Sequence, residues 1–187
     1  VRPLSPEERA FTVILIVLSI FIFAFAISVI TEYILSRNSL QILKKKKVKQ
    51  QINILDNHVI VCGFGRNGAQ AAARLKAYKR PFVVIEKDRD IIEKYEEEIL
   101  FVEGDANEDE TLITAGVDRA NFLITTLPDD AANLFVVLSA RQLNPELFII
   151  SRASQITSQK KLQLAGANKV IMPDKIGGDH MASLVVL

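Results

Sequence analysis

The chain has 187 residues, with 23 lysines and arginines against 22 aspartates and glutamates, so its net charge of +1 gives no general pull toward nucleic acid. A single cysteine, Cys62, excludes an intrachain disulfide and suits a reducing compartment; with only His58 and His180 beside it, far apart in sequence, there is no zinc-ligand spacing. The even balance hides an asymmetry, because the 22 residues from Ala10 to Thr31, AFTVILIVLSIFIFAFAISVIT, carry no charge at all.

As a helix this run spans roughly 33 Å, close to the hydrocarbon thickness of a bilayer. A core helix of that length would carry a polar stripe, and none is visible. A secretory signal would have a basic start and a small-residue cleavage site, whereas Glu7, Glu8 and Arg9 precede the run and Glu32 and Tyr33 follow it. The run therefore reads as a membrane span. Lys44, Lys45, Lys46, Lys47 and Lys49 on its C-terminal side place that side in the cytoplasm, where they can also meet anionic headgroups. From Glu32 to Lys49 there is no glycine or proline, so the helix is expected to continue below the bilayer. Val1 is no initiator, no methionine occurs before Met172, and the chain stops in the apolar ASLVVL; it reads as a piece trimmed at both ends.

From His58 onward short apolar strands alternate with helical stretches. HVIVC, FVVIE, ILFVEG, NFLITT, LFIIS and NKVIM are the strands. The helices are NGAQAAARLKAYKR up to Pro81, one beginning near Asp88, one in NEDETLITAG with Asn107 and Glu110 at N-cap and N3 spacing, one after Pro128, and one around Gln155 to Ala165. Strands this apolar imply burial on both faces, hence an α/β fold: a Rossmann-like, doubly wound parallel sheet of about six strands.

The chemistry lies in the loops. Gly63, Gly65 and Gly68 form GxGxxG after the first strand, with Phe64, Arg66 and Asn67 between them. The first glycine allows the turn, the second lets the backbone approach a pyrophosphate, and the third lets helix pack on strand. Amides at the helix N-terminus then face the phosphates. The second strand ends in Glu86, 18 residues after Gly68, where a carboxylate can accept from both ribose hydroxyls and would repel a 2′-phosphate. This disfavours NADP, although Lys87 and Arg89 follow directly. Gly104, Asp105 and Ala106 after the third strand occupy the adenine position, and Thr125, Thr126, Leu127, Asp129 and Asp130 follow the fourth. Asp105 equally suits a turn, and Asp129 and Asp130 a helix N-terminus. Arg66 within the glycine loop and Arg152 after the fifth strand are the available cations. A dehydrogenase would need an acid or base beside the nicotinamide, but Tyr33, Tyr78 and Tyr95 lack a lysine four residues later, His58 opens the first strand, and Cys62 lies within it. The pocket reads as one that binds without reacting.

HVIVCGFGRNG, VVIEKD, FVEGDAN, LITTLPDDAANL and AGANKVIMP, in this order and spacing, resemble the RCK domain (regulator of potassium conductance), also called the KTN or TrkA-N domain, over about 130 residues from Asn57. The front of the chain is similar to the inner, pore-lining helix of a two-helix potassium channel. The resemblance implies residues 1–9 as an extracellular segment after a filter of TVGYG type, 10–35 as the inner helix, 36–56 as a cytoplasmic linker and 57–187 as the Rossmann-like lobe. It implies a cell-membrane protein with a cytoplasmic lobe, a homo-oligomer with a four-fold pore over an RCK gating ring, the lipid bilayer and potassium ions as partners, and no enzyme activity. It also implies an interface including Met181, Leu184 and Val185, which equally suit a core. No gating-hinge glycine precedes Gly63, leaving Ser19, Ala24, Ala26 and Ser28 to permit bending. The carboxylates of calcium-gated relatives correspond here to Thr126, Ser151 and Ala153, so that ion site is not expected. The intact glycine loop implies NAD(H), with ATP or ADP as alternatives. Nucleotide binding would then gate the pore through the segment from Ser36 to Asn57, toward an inner mouth near Ile27 to Glu32. The rival readings are the regulatory tail of a potassium transporter and a membrane-tethered NAD(H) oxidoreductase.

Overall fold

The computed structural model describes residues 5–186, with side chains described for 5–33 and 46–186. Of the positions named above, Val1, Leu187 and the side chains of Ser36, Lys44 and Lys45 lie outside the described residues. The chain divides into two compact units, Val1–Lys47 and Val48–Leu187.

The first unit is formed by helix α1 (Pro6–Asn53), whose last turns belong to the second. Its start is a reciprocal cap: Glu8 N donates to Ser5 Oγ at 3.3 Å, Ser5 N donates to a Glu8 carboxylate oxygen at 2.8 Å, and Pro6 follows the cap residue. Pro6–Tyr33 is long and apolar enough to cross a membrane, and none of that apolar stretch is buried. Phe21 and Phe25 are 71% and 72% exposed, which is not how the core helix of a water-soluble domain is covered.

The second unit is built on six parallel strands in the order β3-β2-β1-β4-β5-β6. The strands are β1 (Val59–Cys62), β2 (Phe82–Glu86), β3 (Phe101–Glu103), β4 (Phe122–Thr125), β5 (Phe148–Arg152) and β6 (Lys169–Ile171). The crossover helices are α2 (Arg66–Ala77), α3 (Arg89–Tyr95), α4 (Asp109–Thr114), α5 (Asp130–Leu143) and α6 (Ile156–Leu164), and α7 (Pro173–Ser183) follows the last strand. Alternate strand residues feed two cores. Val59, Val61, Val84 and Phe101 pack with Ala72 of α2 and Ile92 of α3. Ile60, Cys62, Val83, Ile85, Leu123 and Ile149 pack on the other face with Leu112 of α4, Val136 and Val137 of α5, and Leu162 of α6. Ile52, near the end of α1, is 1% exposed and sits in this second core, with Val48 and Leu55 against it.

Two expectations need correction. Burial on both faces holds for β1 and the middle of β2 but not for β4–β6, where Phe122, Ile124, Phe148 and Ile150 are only half-buried and Ile171 is exposed. The reason is coverage: α2 and α3 lie over the β1–β3 half of their face, and α7 buries none of its residues. The third crossover helix starts at Asp109 after Glu108, not after Asn107. Asn107 instead folds back, its backbone and side-chain amides both donating to Asp105 Oδ1 at 2.9 and 2.8 Å, so helical geometry begins beyond this turn.

His58 enters β1 fully buried, with Nε2 2.8 Å from the Ala115 carbonyl and no partner at Nδ1. Burial pushes its pKa below the usual histidine value; the Ala115 bond opposes that, nearby Arg119 reinforces it, and Asp56 and Asp118 oppose it. The native state therefore holds a neutral ring while the unfolded chain takes up a proton as pH falls through about 6.5. The stability of this unit is expected to be flat above that point and to fall below it. In denaturant titrations between about pH 7.5 and 5.5, His58→Gln, which keeps a donor for Ala115, should flatten the decline.

Candidate nucleotide-binding site

Every loop flagged in the sequence opens at the carboxyl edge of the sheet, and the switch in strand order falls between β1 and β4. The glycine loop leaves β1 through Gly63, whose φ of +89° strains any other residue. Gly68 is fixed by contact: a Cβ there would lie 1.9 Å from the Gly63 carbonyl oxygen. At Gly65 a Cβ would meet nothing within 4 Å, so this side of the loop is open. Gly65 is also the N-cap of α2 and supplies no side-chain cap, whereas α3 and α5 are capped by Asp88 and Asp129. The first-turn amides at Arg66, Asn67 and Gly68 thus have no side-chain acceptor, and the helix end favours an anion. The Arg66 side chain is exposed and opens onto a groove between α2 and α3 lined by Phe64, Ile91, Lys94 and Tyr95.

Glu86 knits the first two loops together. One carboxylate oxygen accepts from Phe64 N at 2.7 Å, and the other accepts from Lys87 N and Asp88 N at 2.8 and 2.9 Å. Its carboxylate is therefore held at the carboxyl edge of β2 by three amides, with the Lys87 side chain exposed beside it. Gly104 joins the same edge, its amide donating to the Glu86 carbonyl at 3.0 Å. A Cβ on Gly104 would come within 2.7 Å of Thr111 Oγ1, so only glycine lets this loop sit on α4. Asp105 forms the turn with Asn107, and Ala106 is buried beneath it.

The β4–α5 loop closes the crevice on the other side. Thr126 Oγ1 reaches the carbonyls of Cys62 and Gly63, at 3.0 and 3.1 Å, and pins the loop to the glycine turn. Thr125 donates its hydroxyl to Asn133 Oδ1, which also accepts from Leu127 N at 3.1 Å, while Asn133 Nδ2 donates to Leu127 O at 2.9 Å. Asn133 is fully buried. It was not among the sequence candidates, although an asparagine four residues past the cap of an apolar helix is the signal that could have found it. Asp130 accepts from Ser154 N and Gln155 N at 2.8 and 3.1 Å. Burial would raise its pKa, but the bonds from Ser158, Ser154 and Gln155 outweigh that and hold it below the usual range. Arg152 donates from its guanidinium to the Leu127 and Pro128 carbonyls at 3.0 and 3.1 Å and lies 3.5 Å from Asp174, while its buried Nε has no partner among the described residues. Cys62 is buried and its thiol is pushed up to about 12, which keeps it unreactive.

The arrangement can hold a phosphate on α2, a ribose on Glu86 and a base near Asp105. Its carboxylates hold loops and helix ends. The Asn133 bonds set the shape of the third wall. Asn133→Ala would leave the buried Thr125 hydroxyl and the half-buried Leu127 amide without this partner, a loss of about 1–3 kcal/mol for the buried group. Denaturant unfolding should show a loss of at least that size.

The family model described as the TrkA-N domain matches residues 59–173. A relative named probable potassium channel protein 2, from Methanocaldococcus jannaschii, is 37% identical over 182 residues, covering 95% of this chain and 53% of its own length. The chain thus spans about half of that protein. The putative cation/proton antiporter YbaL of Escherichia coli is 33% identical over 120 residues, covering 64% of this chain and 22% of its own. A crystal structure of GsuK bound to ADP superposes with a TM-score of 0.62 at 30% identity, covering 76% of this chain and 38% of that one. On the match of the glycine loop, the six-stranded sheet and the loops around its crevice, the chain belongs to the TrkA-N domain family.

Proposed function

We propose that the chain is the pore-helix and sensor portion of a potassium channel subunit, in which nucleotide binding to the TrkA-N lobe gates the pore through α1. One observation carries this reading. An open glycine loop with uncapped amides shares a chain with an apolar helix long enough to span a bilayer and covered by nothing. The similarity to the potassium channel relative extends over 95% of the chain, whereas similarity to the antiporter covers 64%. That difference favours a channel over a transporter tail. The engaged carboxylates and the inert Cys62 favour a sensor over an oxidoreductase.

In this reading α1 crosses the cell membrane with the lysine-bearing side in the cytoplasm, four copies line a potassium pathway, and their lobes form a ring beneath it. The ligand is an adenine nucleotide. NAD(H) suits the dinucleotide loop with Glu86, and ADP is supported by the GsuK neighbour. A 2′-phosphate would meet the Glu86 carboxylate, so NADP is disfavoured. Moving a gate from 1:99 to 99:1 needs about 5.5 kcal/mol of differential binding, which four identical sites can share.

Calorimetric titration of the full protein with ADP and with NADH is expected to give saturable binding. Glu86→Ala should weaken it at least about tenfold, the loss of one charge-assisted hydrogen-bond acceptor. Unchanged affinity in that variant, or no binding of either nucleotide to the parent, would remove the crevice from the account.

A further inference from the structure

We infer that Arg119 is the positioning residue that ties the end of α1 to the nucleotide crevice, with α4 as the connecting element. This rests on the crevice being the nucleotide site, and it specifies how occupancy is passed on. α1 ends at Asn53 with carbonyls that have no further turn to accept from. Arg119, beyond α4, adds donors at this end: its Nε donates to the Leu55 carbonyl at 3.0 Å and one Nη to the Ile52 carbonyl at 3.1 Å, beside the Leu55 amide that also donates to Ile52. Its own carbonyl accepts from Asn57 N at 3.0 Å, so the guanidinium and the backbone both hold the segment between α1 and β1. A cation at a helix C-terminus also complements the helix dipole.

The site is shaped around that guanidinium. Gly116 has a φ of +78°, which strains any other residue, and its Cα face lies against the Arg119 guanidinium, where a Cβ would come 2.8 Å from Cζ. Gly116 also lies against the His58 ring at the start of β1. Ile52 sits in the same core as Leu112, Ala115 and Val117, which flank the turn.

The other end of α4 is the crevice. Thr111 packs on Gly104, so closely that Gly104 has no room for a methyl group, and Gly104 N is bonded to the Glu86 carbonyl. Between them α4 runs six residues, about 9 Å, with Thr111 and Leu112 buried in it and Ala115 and Val117 buried just beyond its end. A short helix held by one buried face, Thr111 and Leu112, with close contacts at both ends transmits a shift at Gly104 to Gly116. A base that settles between Asp105 and Glu86 therefore acts on the Arg119 contacts, and through them on the last turn of α1.

The test is hydrogen exchange read by mass spectrometry on the full protein, with and without saturating ADP or NADH, in the parent, Arg119→Ala and Arg119→Lys. Without nucleotide, Arg119→Ala should speed exchange over residues 48–57 by about tenfold, and Arg119→Lys, able to reach one carbonyl, by less. With ADP the parent should change exchange over 48–57, and Arg119→Ala should not, while its affinity for ADP stays within about threefold. Unchanged exchange over 48–57 in ligand-free Arg119→Ala would overturn the tie. So would faster exchange spread evenly over all six strands, the mark of a general stabiliser. A parent that binds ADP with no change over 48–57 would overturn the role of α4. Failure of both nucleotides to bind would instead sink the crevice assignment, and the ligand-free comparison would still decide whether Arg119 holds α1.

Discussion

The lobe depends on one close approach, that of the α2 backbone at Gly68 to the Gly63 carbonyl at the end of β1, where not even a methyl group fits. Because the helix begins directly on the strand, its first-turn amides stand at the sheet edge with no side chain to cap them. Because the turn is so tight, the amide of Phe64 faces Glu86 and the carbonyl of Gly63 faces Thr126, and the neighbouring loops are drawn in. Two of the three crevice walls thus follow from a contact that only glycine permits.

The strength of the site lies in how little of its polar surface is idle. Glu86, Asp105, Asp129 and Asp130 all accept backbone amides, and Arg152 and Asn133 serve the carbonyls and amides of the β4–α5 loop. Such a crevice is preorganised, and the polar groups it presents to a ligand are mainly backbone N–H groups. That suits phosphate recognition. At the opposite edge of the sheet the segment from Leu55 to Asn57 meets Arg119, and β1, only four residues long, separates His58 from the glycine loop. Sensor and attachment are thereby close in sequence and on opposite edges.

Local signals carried most of the architecture in the sequence. GxGxxG, the apolar strand runs and the terminal Glu86 read directly, because residue type and spacing alone mark them, although Glu86 acts on Phe64, 22 residues earlier. Other features depended on distant partners. Arg152 read as an available cation with no sign of the two β4–α5 carbonyls it serves or of Asp174 on α7 beside it. Asn107 had the spacing of a cap, yet Asp105 two residues earlier competed for its amides and won. Asn133 and Arg119 gave no local signal of their importance, since one serves a loop six to eight residues back and the other a helix end more than sixty residues away. The outer strands read as doubly buried because sequence reports their apolarity but not which helix fails to cover them.

The central claim is that a nucleotide in this crevice opens or closes a potassium pathway. Single-channel recording of the full protein in a planar bilayer, with potassium on both sides and ADP or NADH added to one side at a time, tests it most directly. The account predicts potassium-selective openings whose probability changes when nucleotide is added on the side bearing the lobe, and not on the other. Potassium-selective openings indifferent to nucleotide on either side, or the absence of any channel current, would contradict it.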